Sequence, residues 1–363
     1  MRYKELMFVT LDDVCEKGSS NLAQKDILDL DGDFPIFGAA GYIGNANFYH
    51  QEKPYLAVVK DGAGVGRVML LPAKSSVIGT MQYIIPKEDI IVEYLYYAVK
   101  AMHLEKYYMG AAIPHIYFKD YKKEKLKLCS KIKQEQIVAR LDIIEKIINQ
   151  HKQQLNNLEK LTKARFIEVF GDAIHNPMEW PVKKLGELSS QINSGNTPKG
   201  GQQVYVDRGI TFFRSQNVWK NKLEMYDIAY IDEATHASMS RSSLKHGDIL
   251  MTKTGRINTE NSSLGRAALY MGKDDVANVN GHVYFIRLKP GINNKFILRI
   301  LISDEYRDYI RSVCVGGIDK RQLNKEHIED FPIICPPVNL IEKYIAFTEQ
   351  ADKSKAVIEK SLK

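Results

Sequence analysis

The amino-acid sequence predicts an α/β protein in which two tandem, structurally related domains are separated by long helices that form an antiparallel coiled coil. Three observations predict it: an ordered internal repeat, a proline-free run between the copies with a heptad apolar seam, and a second, shorter helical run that follows a proline pair after the second copy.

The repeat emerges when the chain is laid on itself at a shift of about two hundred residues, a comparison that exposes architectures no local propensity can show. Lys60-Asp61-Gly62 falls on Lys253-Thr254-Gly255, each after an apolar β-type run, Tyr55 to Val59 in the first copy and Asp248 to Thr252 in the second. Val65-Gly66-Arg67 then falls on Leu264-Gly265-Arg266, Val77 to Ile84 on Val279 to Ile286, Gly110 on Gly316, and Cys129 on Cys335. The shifts are 193, 199, 202 and 206, and they drift upward in order as loops of different length accumulate, whereas chance matches scatter. Phe8 to Val14 and Pro181 to Leu188 give each copy a similar lead-in. The expected boundaries are 1–132 and 172–335 for the two domains, 133–171 for a central helix and 336–363 for a short distal one.

From Lys133 to about Phe170 the chain holds no proline, and residues recur four and three apart at Ile137, Leu141, Ile144, Ile148, His151, Leu155 and Leu158. That is the a/d pattern of a coiled coil. At 1.5 Å per residue the run makes a rod of roughly 55 Å, which needs a partner. Gly171 and an Asn176-Pro177 turn end it. His151, in the seam, reads as a register-setting polar residue rather than a metal ligand. The prolines of Cys335-Pro336-Pro337 pre-set the start of the second helix, where Ile341, Ile345 and Thr348 supply the facing positions before the Lys-rich Asp352-Lys353-Ser354-Lys355 run. Equivalent halves would pair these helices antiparallel as a fixed spacer.

Hydrophobic residues at 44% with 26% charged residues describe a folding globular chain. There is no run of about 18 apolar residues, and Met1 to Glu5 lead into no signal-peptide core, so a cytoplasmic location without membrane contact is expected. Cys15, Cys129, Cys314 and Cys335 lie far apart with no metal-site spacing and read as buried thiols. A net charge of +7 fits a polyanionic partner, although charge alone is a weak discriminator.

Motifs that nucleic-acid enzymes need are missing. Cys335-Pro336-Pro337-Val338 lacks the polar and aromatic ends of the Asn/Asp-Pro-Pro-aromatic motif of amino-methyltransferases, and Gly62 to Arg67 lacks the Gly-Lys-Ser/Thr end of a phosphate loop and reads as a tight turn. No paired acidic motif with a following lysine stands out. The chain is therefore expected to be non-catalytic. Two rivals stay open: a nuclease or methyltransferase with an unrecognised site, and a stand-alone DNA-binding regulator.

The helix opening Ile137-Val138-Ala139-Arg140-Leu141-Asp142 after Lys133-Gln134-Glu135-Gln136, the segment Phe331-Pro332-Ile333-Ile334-Cys335-Pro336-Pro337, and Trp180 to Leu188, Ser194-Gly195-Asn196-Thr197-Pro198 and Gly247-Asp248-Ile249-Leu250 resemble the specificity subunit of type I restriction-modification enzymes. The resemblance spans essentially the whole chain and rests on the order and duplication of motifs. It implies two target recognition domains that bind the two halves of a bipartite double-stranded DNA target, two methyltransferase subunits docked on the helices, and added restriction-motor subunits. It also implies that S-adenosylmethionine, ATP and Mg belong to those partners, with none held by this chain.

Base discrimination needs bidentate donors and acceptors on rigid supports, while phosphates take scattered basic and hydroxyl groups. In the first domain the candidates are Tyr42, Asn45 and Asn47 in a Gly-rich loop, with Lys60, Arg67, Lys74, Ser75, Ser76 and Gln82 around the repeated strands. His115 is expected where the second domain has Lys320-Arg321. The second set is Asn196, Thr197 and Lys199, then Arg214, Ser215, Gln216 and Asn217, then Lys253, Thr254, Arg256 and Asn258, then His282, Lys320 and Arg321. Loop sets that differ on a common scaffold imply half-sites of different sequence.

Overall fold

The computed structural model describes residues 7–27, 31–62, 64–110, 114–259 and 261–362. Of the sequence features above, Met1 to Glu5, Ala63 and Lys363 lie outside them. The chain divides into two units, Met1–Lys152 and Gln153–Lys363, and the boundary falls inside one continuous helix, Lys131–Phe170.

The first unit begins with β1 (Met7–Thr10), a one-turn helix (Leu11–Val14) and β2 (Cys15–Ser19). It continues through β3 (Phe34–Gly38), β4 (Gly41–Ala46), β5 (Tyr55–Val59), β6 (Val68–Leu71), β7 (Ser76–Val77) and β8 (Met81–Pro86), then a helix (Val92–Lys100) and β9 (Lys125–Leu128). The main sheet runs β2-β8-β5-β6 with antiparallel pairs, and a second sheet, β4-β3-β7, contains one parallel pair, β3 with β7. β9 returns antiparallel to β1. The run Tyr-Leu-Ala-Val-Val of β5 is buried along its whole length, and its two faces serve two cores because strand side chains alternate. Leu56 and Val58 join Ile84, Leu95 and Val99 in one core, whereas Tyr55, Ala57 and Val59 join Ile36 and Met81 in the other.

The second unit repeats the plan. Its strands are β10 (Val182–Lys184), β11 (Ser189–Ser194), β12 (Tyr205–Val206), β13 (Ile210–Phe213), β14 (Val218–Trp219), β15 (Lys222–Leu223), β16 (Ala229–Ile231) and β17 (Ile249–Thr252). They are followed by β18 (Thr254–Arg256), β19 (Ala267–Leu269), β20 (Ala277–Val279), β21 (Val283–Leu288), β22 (Val315–Gly316), β23 (Lys320–Gln322) and β24 (Pro332–Ile334). The order β11-β21-β17-β19 matches β2-β8-β5-β6, the parallel pair β13 with β20 matches β3 with β7, and β10 with β24 matches β1 with β9. Individual hydrogen bonds repeat as well. The Val59 N–H donates to the Arg67 carbonyl and the Gly66 N–H to the Val59 carbonyl, just as Thr252 donates to Arg266 and Gly265 to Thr252. Both turn glycines take positive φ, 86° at Gly66 and 69° at Gly265, a backbone state that favours glycine. One fold is used twice.

Each half of the central helix packs on its own unit. In the first unit the fully buried Gln134 donates to the carbonyls of Asp89 and Cys129 and accepts from the Ile91 N–H, while Tyr97 donates to Asp142 and Glu145. In the second unit Phe166 and Phe170 form an aromatic box with Phe296 and Tyr344, and Lys163 pairs with Asp304 at 3.0 Å. Tyr344 belongs to the distal helix (Val338–Ser361), and its hydroxyl reaches the Thr162 carbonyl at 3.3 Å. Ile137, Leu141, Ile148, Leu155, Leu158 and Ile341 are half-buried and Ile345 is buried. Ile144 departs from the expected seam: it is 52% exposed, as are neighbouring Ile143 and Ile147 at 60% and 44%. Glu145 takes the inward position because Lys100 and Tyr97 draw its carboxylate toward the 92–100 helix, and the Lys100 hydrogen bond holds that carboxyl below the usual range.

Candidate nucleic-acid interface

In the second unit β22, β23 and β18 form a three-stranded ledge. Thr254 stands opposite Gln322 and Arg256 opposite Lys320, so these four side chains share one face, while Gly255 and Arg321 point to the other. A Cβ on Gly255 would lie 2.2 Å from the Leu264 nitrogen. The face shared by Thr254, Arg256, Lys320 and Gln322 is therefore turned away from Leu264, and the last three of these residues are exposed. Lys253 stands beside it, its ammonium 5.7 Å above the Tyr284 ring and its N–H bonded to the carbonyl of exposed His282. Thr197 lies against Gly281, and Asn196 is held by its N–H on the Val279 carbonyl. Lys199 and Asn258 are exposed on adjoining loops. Arg256 is paired with Asp319 at 3.2 Å, and Arg321 extends its Nε toward the Gly317 carbonyl.

The first unit builds the same ledge with fewer bonds. Lys60 donates from its N–H to the Thr80 carbonyl and accepts from the Ile116 N–H, as Lys253 does with His282 and Leu323. His115 bridges both Asp61 and Met109, and the residue that bridges Thr254 and Val315 in the second unit is Gln322. His115 thus corresponds to Gln322, which corrects its expected match with Lys320-Arg321. The connection after Gly316 is one residue longer than that after Gly110, and a one-residue slip along a strand turns a side chain to the opposite face.

Other expected positions serve the fold. Ser75, Ser76 and Gln82 are buried. The Ser75 hydroxyl donates to the Pro72 carbonyl, Ser76 accepts from the His50 N–H, and Gln82 donates to the Gly18 carbonyl, so each is engaged by protein rather than offered to a ligand. Arg67 donates to the Ala39 carbonyl, which ties it to the β3–β4 turn. Lys74, Asn47 and Tyr42 are exposed and Asn45 is half-buried within β4.

Arg214 and Asn217 hold the loop between β13 and β16. The Arg214 side chain is 13% exposed, pairs with Asp227 at 3.0 Å and donates to the Asp227 carbonyl. Gln216 and Arg214 together hold the Asp227 carboxyl below the usual carboxylate range. The fully buried Asn217 accepts from the Arg214 N–H and donates to the carbonyls of Glu224 and Tyr226. Ser215 is half-buried in the same turn. We expect Asn217→Ala to free two carbonyls and cost about 1–3 kcal/mol. Faster proteolysis within 214–227 than in the parent chain checks it; unchanged cleavage would contradict it.

The composition signal missed Gln322. The adjacent basic pair Lys320-Arg321 is the stronger charge signal, and only the strand pairing shows that Lys320 and Gln322 share the open face while Arg321 points away.

A duplicated α/β unit, each copy carrying a polar ledge and running into a helix, defines a tandem α/β protein. The model of the Type I restriction modification DNA specificity domain matches residues 3–160. The chain is 25% identical over 282 residues to the Type I restriction enzyme MjaIX specificity subunit of Methanocaldococcus jannaschii, covering 72% of this chain and 62% of that one. A putative type I restriction enzyme MjaX specificity subunit of the same organism is 21% identical over 163 residues, 45% of this chain and 37% of that one. Among solved structures, the S subunit of a type I restriction-modification system from M. genitalium aligns with a TM-score of 0.60 at 15% identity, covering 100% of this chain and 94% of that chain. A second, from work on complex assembly and conformational transition of the type I R-M system, aligns at 0.51 and 14% identity with the same coverage. These two likenesses support the fold. Residues 3–160 thus match the Type I restriction modification DNA specificity domain, and the chain is similar over most of its length to a type I restriction enzyme specificity subunit. It spans less than two thirds of the length of the curated relatives it matches.

Among the described residues no group of three or more His, Cys, Asp or Glu side chains is placed to hold a metal ion, and no helix is long and apolar enough to cross a membrane.

Proposed function

We propose that this chain reads a bipartite sequence in double-stranded DNA, one half-site per unit, and contributes no catalytic group. The observation that carries this reading is the ledge built twice on matched hydrogen bonds but dressed with different side chains, Asp61 and His115 in one copy, Thr254 and Gln322 in the other. Strand-borne polar groups flanked by lysine and arginine suit base edges in a groove with phosphates on either side. Exposed Ile143, Ile144 and Ile147 on the central helix suit the docking of two methyltransferase subunits, with restriction-motor subunits added to them. S-adenosylmethionine, ATP and Mg are then held by those partners.

Coexpression with a companion methyltransferase followed by methylome sequencing tests the reading. The expected result is one split motif, two short words separated by unspecified bases. A continuous motif would favour a stand-alone regulator, and modification or cleavage of DNA by the purified chain alone would favour an enzyme. Lys320→Ala should weaken binding at all sequences of the second half-site and reduce the slope of log affinity against log salt by about 1, without altering base preference.

A further inference from the structure

We propose that Gln322 and His115 are the corresponding specificity-determining positions of the two units, with Gln322 reading adenine in the second half-site and His115, beside Asp61, reading a different base pair in the first. The inference rests on the DNA-reading function proposed above and names the atoms that do the reading.

Four observations lead to it. Gln322 and His115 occupy the same place in the duplicated fold, each bridged to the strand that follows the buried apolar strand and to the segment that precedes it. Both are central in a ledge, so the backbone beneath the side chain is bonded on two sides and the side chain starts from a fixed point, as precise recognition requires. Gln322 is exposed, and its amide Nε2 lies 3.5 Å from Asn324 Oδ1, the outer limit of a hydrogen bond, which leaves the amide available. Exposed Arg256 and Lys320 stand on the same face, where they can take backbone phosphates while the shorter amide meets a base edge.

The chemistry of the pair then differs in a readable way. A glutamine amide presents one donor and one acceptor in the spacing of adenine N6 and N7, the bidentate contact that distinguishes this base. An imidazole offers one nitrogen at a time in a given direction and cannot make that contact. The neighbour changes too: Thr254 is a small hydroxyl, whereas Asp61 is an acceptor suited to the cytosine amino group. The His115 ring stands edge-on to Tyr117 at 5.0 Å, which limits its rotation.

The test is selection of bound duplexes from a randomised library by the full-length chain and its variants. Gln322→Glu should exchange adenine for cytosine at one position of the second half-site, a change of about tenfold or more in base ratio, and leave the first half-site alone. His115→Gln should alter one position of the first half-site alone. Should Gln322→Glu retain no duplex, Gln322→Ala decides: it keeps binding and loses the adenine preference, or by keeping the preference it overturns the proposal. Variants that enrich the parent motif unchanged also overturn the proposal and leave the DNA-reading function standing. A parent chain that enriches no split motif overturns that function itself.

Discussion

Phe170→Ala should lower the melting temperature of the second unit by on the order of 10 °C. The Phe170 side chain is fully buried, and its ring lies 5.1 Å from Phe166, 5.1 Å from Phe296 and 5.5 Å from Tyr344, so it is the contact shared by the central helix, the 294–301 helix and the distal helix. Truncating a buried phenylalanine costs about 3–5 kcal/mol, the upper part of that range applying where the surroundings cannot collapse. Three helices held by a common ring collapse poorly. In a unit of this size each kcal/mol is worth about 2–4 °C. Tyr344→Phe serves as the control: it removes the bond to the Thr162 carbonyl but keeps the box, and should cost about 1 kcal/mol. Scanning calorimetry distinguishes them, and equal shifts for the two variants would show that the ring packing is not what anchors the helices.

Asp248→Ala should be almost as damaging, by a different route. Asp248 is 1% exposed and receives a bidentate bond from Arg287, Nε to Oδ1 at 2.9 Å and Nη2 to Oδ2 at 2.8 Å, together with the Lys245 N–H at 2.8 Å. Removing one member of a buried pair leaves the other charge uncompensated, at about 3–5 kcal/mol. The Arg287 side chain remains 26% exposed and also donates to Gln191 and the Ser243 carbonyl, which places the cost near the lower end. Chemical denaturation of Asp248→Ala, Arg287→Met and the double variant gives the coupling directly. If the two single costs simply add in the double variant, the ion pair is not the cause.

Much of this architecture was legible in the residues. Apolar runs at Tyr55–Val59 and Ile249–Thr252, turn glycines followed by arginine, and the proline-free stretch all fall where the structure puts strands, turns and helix. They are legible because each is fixed by a local rule, strand propensity, positive φ or helix propensity, applied twice in one chain. The misplacements come from rules that are not local. Ile144 fits the heptad by spacing, but the Lys100 ion pair and a Tyr97 hydrogen bond from another element hold Glu145 inward instead, while Tyr97 also donates to Asp142 one turn before it. Ser75, Ser76 and Gln82 look like surface polar groups, yet Ser76 and Gln82 satisfy backbone of the distant His50 and Gly18, and the buried Ser75 bonds the Pro72 carbonyl three residues back. Arg214 resembles a base reader in composition and turns out to clamp Asp227 across thirteen residues of loop. Gln322 was hidden by a single-residue difference in loop length, which no periodicity records.

Within each unit the first and last strands are hydrogen-bonded to one another, Met7 beside Leu128 and Val182 beside Ile334. A unit whose two ends leave at one place is a cassette: a gene segment coding for it can be exchanged for a relative's without asking the neighbouring cassette to refold. Under the DNA-reading function proposed above, each such exchange would replace one word of the target and keep the other, so a small stock of cassettes would yield many two-word combinations.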